Sequence, residues 1–310
     1  MPAERRPGMD HTHYAWSPLP TRGVLRWPFQ ARVALCALVT LEHLEWEPPA
    51  GHFEAQNLAG GLGRLPAPDY VRLTHREYGH RVGIFRLLDV LEKHGIPPTV
   101  AMDALTARHY PYLVRHCLER GCEIIGHGLS VSRMITSRMT AEEERDYIRE
   151  TIDVLLEATG NAPVGWFGPE YGESERTPQL LAEAGIRYVC DWTNDEQPYR
   201  LQVPRGELYA LPIALELDDT HALWSRRMPI DRYGQLLTES CDGLYEDGAH
   251  NGRLMVLNLH PWLIGQPFRI GTLDAALGAI VRRQGVWAAH GRDLVDWFQK
   301  HAPEGAERDG

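Results

Sequence analysis

The chain has 310 residues, 43% hydrophobic and 24% charged, with a net charge of -10. That length and composition describe an ordinary soluble globular protein with one large α/β core. The acidic balance argues against a phosphate-binding basic face, so neither nucleic acid nor an anionic membrane surface is expected as a partner.

Residues 1–30 are rich in Pro, Arg, Trp and His and read as an N-terminal arm lying over a single domain at 31–302. Met1-Pro2-Ala3-Glu4-Arg5-Arg6-Pro7 leads into polar sequence and not into the apolar core of an export signal. No apolar run reaches the length of about 18 residues that a transmembrane helix needs. Arg32 to Leu41 is a nearly continuous apolar run, which fits a strand buried on both faces and ending on Glu42-His43. Residues 44–74, with Pro48-Pro49 and Gly60-Gly61, read as a long functional loop or lid. Apolar spacing predicts a helix from Glu77 to Leu91, then a strand Pro98–Met102 and a helix from Asp103 through Arg120.

Glu123-Ile124-Ile125-Gly126 ends on His127, held between two glycines, as a third strand delivering a side chain to the sheet edge. Thr140-Ala141-Glu142-Glu143 is a capping box opening a helix to Thr159-Gly160. Strands follow at 163–167, 187–192, 208–213, 254–260 and 286–289, with helices at 178–184, 229–247, 271–284 and 291–301. Residues 303–310 read as a flexible tail. The alternation predicts a distorted parallel (β/α) barrel of seven or eight strands. Five cysteines, with only Cys117 and Cys122 close and at neither a redox nor a zinc spacing, read as free buried thiols in a reducing cytoplasm.

In such a fold the active site lies at the carboxyl ends of the strands. There the sequence places Glu42, His43, Asp103, His127, Glu170, Asp191 and His260. Each taken singly reads equally well as structural. Together they suit a hydrolase in which a carboxylate activates water and an imidazole protonates the leaving group. Glu42 is assigned the base, His260 the acid or oxyanion donor, and His127 the water-positioning group, with Asp191 on the same rim. Glu77 and Arg81 are candidates to hold the polar edge of a substrate. Trp166, Tyr171, Trp192 and Trp262 are candidates to wall a flat pocket, or else simply core. Gly60-Gly61-Leu62-Gly63 lacks the strand and helix of a nucleotide loop, and no Gly-x-Ser-x-Gly elbow occurs.

From residue 30 to 300 these motifs resemble the polysaccharide deacetylase superfamily, the NodB-homology fold. Glu42-His43 stands where that family carries paired acids, and Glu123–Ser132 where it carries His-x-x-x-His. Trp166–Gly172 matches the loop after the next strand, Asp191-Trp192 an aspartate–tryptophan motif, and Leu257-Asn258-Leu259-His260 a Leu-x-Leu-His motif. Glu77-Tyr78-Gly79-His80-Arg81-Val82-Gly83, His260–Arg269 and Gly285-Val286-Trp287-Ala288 are similar to signatures of its allantoinase and cyclic imide hydrolase branch. The resemblance implies hydrolysis of a non-peptide carbon–nitrogen bond in a small amide or cyclic imide, often by an oligomer.

The usual metal triad of that family, one Asp and two His, falls here on His43, His127 and Val131. Val131 cannot coordinate, so no metal cofactor is expected. If a zinc-like ion were held, His43 and His127 would hold it, with a third ligand such as Glu42, Glu77 or Asp103. The family's loop arginine is replaced by Phe167-Gly168-Pro169-Glu170-Tyr171, which disfavours a polymeric sugar. Two alternatives stand beside the small-amide hydrolase. They are a metal-dependent carbohydrate N-deacetylase and a catalytically weakened barrel that binds a small ligand.

Overall fold

The computed structural model describes residues 10–53, 55, 58–63, 65–66 and 68–302. The expected tail at 303–310 and the first nine residues of the arm lie outside them. Nine strands form among the described residues: β1 (Val33–Leu41), β2 (Pro98–Met102), β3 (Glu123–Gly126), β4 (Gly165–Trp166), β5 (Tyr188–Val189), β6 (Tyr199–Leu201), β7 (Leu208–Ala210), β8 (Arg253–Leu259) and β9 (Val286–Ala288). β1 is buried along its whole length, as its unbroken apolar run requires. One edge of β1 pairs with β8. The other is shared, β9 taking Val33–Leu35 and β2 taking Ala37–Leu41.

The sheet runs β6-β7-β5-β4-β3-β2-β1-β8, and every pairing is parallel except β6 with β7. It curls into a half-barrel. The open side is bridged by Leu254 N–H donating to Glu196 O (2.7 Å) and Ala214 N–H to Val256 O (3.3 Å). The distorted parallel (β/α) barrel expected from the alternation is the fold observed.

Helices α1 (Tyr70–Tyr78), α2 (Ile84–Lys93), α3 (Ala104–His109), α4 (Pro111–Glu119), α5 (Ala141–Thr159), α6 (Thr177–Glu183), α7 (Ile230–Asp247), α8 (Pro261–Ile264), α9 (Ile270–Val281) and α10 (Gly291–His301) cover the sheet. Most match the expected spans within a few residues, and α5 opens on the full Thr140/Glu143 capping box. Three differences have local causes. The single helix expected at 103–120 breaks at Tyr110, because Pro111 disfavours helical geometry in the residue before it. β6 was not expected, since Tyr-Arg-Leu is too short to show a period. The helix expected from Glu77 starts at Tyr70, capped by Asp69, whose side chain accepts the Arg72 N–H at 3.0 Å.

Between α1 and α2 the chain makes a π turn, Gly79–Gly83. A Cβ on Gly83 would lie 1.9 Å from Pro261 O, and one on Gly79 would lie 2.9 Å from Trp262 N. The two glycines therefore let α8 seat directly on the turn. Two of the three segments similar to allantoinase-branch signatures, Glu77–Gly83 and His260–Arg269, are the two halves of this contact, and it fixes the chain just after His260.

The arm is docked from residue 10 onward. Leu25 and Trp27 are buried, Trp27 Nε1 donates to Arg253 O at 2.8 Å, and Arg22 pairs with Asp195. All five cysteines are free and buried, and no helix among the described residues is long and apolar enough to cross a membrane.

Gly83→Ala should cost roughly 1–3 kcal/mol or more through overpacking against backbone, read as a lowered Tm. Gly243→Ala on α7, where a Cβ meets nothing within 4 Å, should leave Tm unchanged or raise it. Equal effects would show that the π-turn contact is not tight.

Candidate active site

Three strands end on the groups that the fold brings together: Glu42 after β1, His127 after β3 and His260 after β8. All three are buried. Glu42 forms an ion pair with Arg76 of α1, and its other oxygen lies 3.4 Å from His127 Nε2. Arg76 is itself spanned on every side. Nε donates to Ala59 O (2.9 Å), a terminal nitrogen lies 3.5 Å from Glu170, and the guanidinium sits 5.3 Å from the Trp262 ring centre. Burial works against the Glu42 carboxylate, yet Arg76 and the His127 contact outweigh it and hold the pKa down at about 2. His127 Nδ1 is fixed 2.6 Å from Phe167 O and its ring stacks on Phe167.

His260 is held from behind by Asp219. Nδ1 lies 2.6 Å from one carboxylate oxygen, and the His260 backbone N–H donates to the other at 2.8 Å. Burial would lower the imidazole pKa. The charge and hydrogen bond of Asp219, with Asp218 and Glu42 further off, overcome it and raise the value to about 9. Asp218 is saturated by Tyr171 Oη, Asn258 Nδ2, Thr220 and His221 N–H, and Asn258 is anchored in turn by Thr40.

The loop after β4 brings Glu170 and Tyr171 to this centre. Both have left-handed φ (53° and 59°), costly for residues with a Cβ. Asp191 anchors the loop by accepting the Gly168 N–H at 2.8 Å. Its other oxygen and Glu173 Oε1 are buried without a hydrogen-bond partner. Burial lifts Asp191 to about 7, and burial together with the neighbouring Asp191 charge pushes Glu173 well up. The Glu170 carboxyl is pushed up by burial, with Arg76 opposing and Glu42 adding to the rise. It remains about a third exposed, on the solvent side of Arg76.

Other expected residues lie elsewhere. Arg81 is exposed, and Glu77 accepts from Trp46 Nε1 (3.0 Å) instead of pairing with Arg81. The guanidinium of the centre is Arg76, five residues earlier and out of phase with Arg81 across the π turn. Trp166 is core, fully buried against Gly126. Trp192 packs on His13 and Tyr14 of the arm. Trp262 does reach the centre, with its ring centroid 6.4 Å from that of His260. Sequence reasoning missed Arg76 and Asp219. A readable signal for the first was Leu73-x-x-Arg76-x-x-Gly79, one helical face; for the second, the adjacent carboxylates Asp218-Asp219 in an apolar stretch.

The donor set at the family's metal position does not close. Val131 is buried and apolar, and the His43 ring turns toward His109 and Tyr110 (centroids 5.2 and 5.9 Å). His127 has one nitrogen on Phe167 O and the other on Glu42. Asp103, offered as a substitute ligand, is taken up by the His43 and Thr106 N–H groups. Among the described residues one acid–histidine group converges, Asp218, Asp219 and His260, with donor atoms within 4.8 Å of one another. The hydrogen bonds above already occupy those oxygens and Nδ1.

Comparison with known proteins agrees with this fold. The sequence model of the polysaccharide deacetylase family matches residues 71–189. A Helicobacter pylori peptidoglycan deacetylase is 28% identical over 79% of this chain and 92% of its own. The crystal structure of the PuuE allantoinase superposes with a TM-score of 0.77 at 25% identity, over 88% of this chain and 92% of that one. A Pseudomonas aeruginosa PAO1 protein described as a probable polysaccharide deacetylase gives 0.77 at 26%, over 88% and 93%. The fold is thus similar to that of the polysaccharide deacetylase, or NodB-type, superfamily and of its allantoinase-like members. The chain is a hydrolase of carbon–nitrogen bonds other than peptide bonds.

A raised imidazole pKa contributes stability that is complete below the unfolded value of about 6.5 and lost as pH rises through the folded value. For His260, raised to about 9, that contribution is of order 3 kcal/mol at pH 7. Asp219→Asn should remove it: the variant should be less stable than the parent at pH 7 and converge on it by pH 10, measured by urea midpoints. A constant difference across that range would contradict the linkage.

Proposed function

We propose that the chain hydrolyses the carbon–nitrogen bond of a small amide or of a cyclic imide or ureide, without a metal ion. The observation that carries this is a pair of groups set in opposite charge states at neighbouring strand ends. Glu42 is ionised by Arg76 and His260 is protonated by Asp219, which are the states that a base and an acid need at neutral pH.

In this reading His127, held on Phe167 O through Nδ1 and against one Glu42 oxygen through Nε2, fixes the Glu42 carboxylate. The attacking water donates a hydrogen to that carboxylate beside the His127 contact, and is positioned by it. A carboxylate at about 2 is a weak base toward free water. As the new oxygen–carbon bond forms, however, the water protons become far more acidic, and Glu42 can take one. Arg76 keeps that carboxylate in place and in a dry site, where orientation contributes most. His260 uses Nε2, the nitrogen not held by Asp219, to stabilise the oxyanion and then protonate the departing nitrogen.

Glu170, accessible on the solvent side of Arg76, accepts a substrate N–H next to the carbonyl. Tyr171 and Trp262 border the same space, and Asp191 acts by positioning the Glu170 loop. A neutral, flat substrate with N–H and C=O on one edge suits this set better than a sugar polymer. The cytoplasm and a homo-oligomeric state belong to the same proposal.

A second reading, a metal-dependent carbohydrate N-deacetylase, is favoured by the name of the Helicobacter relative and by the Asp218/Asp219/His260 convergence. The deciding measurement is elemental analysis of the purified protein, with turnover of hydantoins, cyclic imides, allantoin and N-acetyl sugars with and without chelator. Glu42→Gln and His260→Gln should each lower kcat by about 10²–10⁴-fold with far-UV circular dichroism unchanged. Activity of the parent should fall above about pH 9 as His260 loses its proton. Bound metal with chelator-sensitive acetate release would overturn the metal-free mechanism, and full activity of Glu42→Gln would overturn the assignment of the base.

A further inference from the structure

A cavity of about 100 Å³ opens beside the ion centre, and the mechanism above makes no use of it. Leu44, Leu58, Leu73 and Val131 wall it, with Trp46 and Phe53 at the rim. Each of the four walls belongs to a segment that also builds the centre. Leu44 lies two residues beyond Glu42, and Leu73 lies one helical turn before Arg76. Leu58 precedes Ala59, whose carbonyl accepts from Arg76 Nε. Val131 lies four residues beyond His127, tied to the end of β1 by its N–H donating to His43 O (3.2 Å).

Asp69 Oδ2, 3.8 Å from Arg72 Nε, is buried without a hydrogen-bond partner, but other polar groups at the edge of the cavity are engaged elsewhere. The Glu45 carboxylate is held by both Arg133 nitrogens (2.7 and 2.6 Å) and Ser130, and Ser132 Oγ accepts the Glu45 N–H. Arg72 donates to the carbonyls of Gly60 and Gly63. Among the described residues most of what faces the space is hydrocarbon, so a polar ligand group placed there would find few partners.

We propose that this cavity is a specificity subsite that seats a branched alkyl substituent of the substrate, next to the scissile amide. The inference rests on the hydrolase reading above. An apolar cavity of about 150 Å³ holds benzene, so this smaller one takes a branched chain of about four carbons. Seating such a group excludes water from the flank of Glu42 while the carbonyl faces His260.

The test compares hydantoin with 5-isobutylhydantoin, and succinimide with its isobutyl derivative, on the parent protein and on Val131→Phe. Leu73→Phe serves as a second variant that fills the cavity from α1. The parent should favour the isobutyl member of the hydrolysed pair at least tenfold in kcat/KM, since apolar pockets discriminate by about 10–200-fold per methylene-sized difference. Both variants should bring the ratio to near unity. Turnover of both members with no preference in the parent, or a preference that survives both variants, would overturn the subsite and leave the hydrolase reading standing. Turnover of neither pair would count against the hydrolase reading instead. The same compounds are then compared by their effect on Tm. A larger rise with the isobutyl member in the parent alone supports the subsite, and its absence overturns it.

Discussion

Arg76 and Glu42 are each almost completely removed from water, and the rest of the site follows from what it takes to keep them there. Burying two such charges costs more than their attraction returns unless each remaining donor and acceptor is also satisfied. Arg76 meets that requirement with parts taken from four places: the end of β1, the 59 carbonyl, the loop after β4 and the face of Trp262. Losing either partner would strand a buried charge, at a cost of roughly 3–5 kcal/mol. The pair therefore acts as a clamp that sets where the segment around Ala59, the Glu170 loop and α8 lie relative to the strand ends.

A second, independently anchored unit faces it. Asp219 fixes His260, Asp218 fixes Tyr171 and Asn258, and Thr40 returns the chain of hydrogen bonds to β1, the strand that carries Glu42. Glu42 and His260 are thus positioned by different partners but follow one pair of strands, β1 and β8, in direct register. Charge is compensated within the Arg76–Glu42 pair and within the His260–Asp219 pair. A neutral amide can enter such a site without upsetting either pair, whereas an anionic ligand would meet Glu42, Glu170 and Asp218 together.

The parts of this design written in local pattern were legible in the sequence. Strands buried on both faces show as unbroken apolar runs, so β1, β2 and β8 and the side chains at their ends were placed from residue order alone. Contacts that depend on a change of helical phase were not. The π turn at Gly79–Gly83 shifts the register between α1 and α2, which turns Arg81 outward and leaves Arg76 facing the barrel. Asp219 escaped notice for a related reason: it lies just before a second π turn, Thr220–Ser225, in a stretch without strand or helix period. Asp191, read as a rim carboxylate, instead supports the loop that carries one.

That support has a physical consequence for how the loop works. Two successive side chains, Glu170 and Tyr171, are held in left-handed geometry, each at a cost of about 1–3 kcal/mol. The conformation persists because both ends are fixed. Asp191 holds the Gly168 N–H at one, and the Tyr171 hydroxyl on Asp218 holds the other. Gly168 and Gly172 leave no room for a Cβ between them, since one on Gly168 would lie 2.6 Å from Gly172 O. If either anchor let go, the loop would relax toward ordinary backbone and carry Glu170 away from Arg76. In this way Asp191, itself buried behind the loop, sets the conformation in which Glu170 is held beside Arg76.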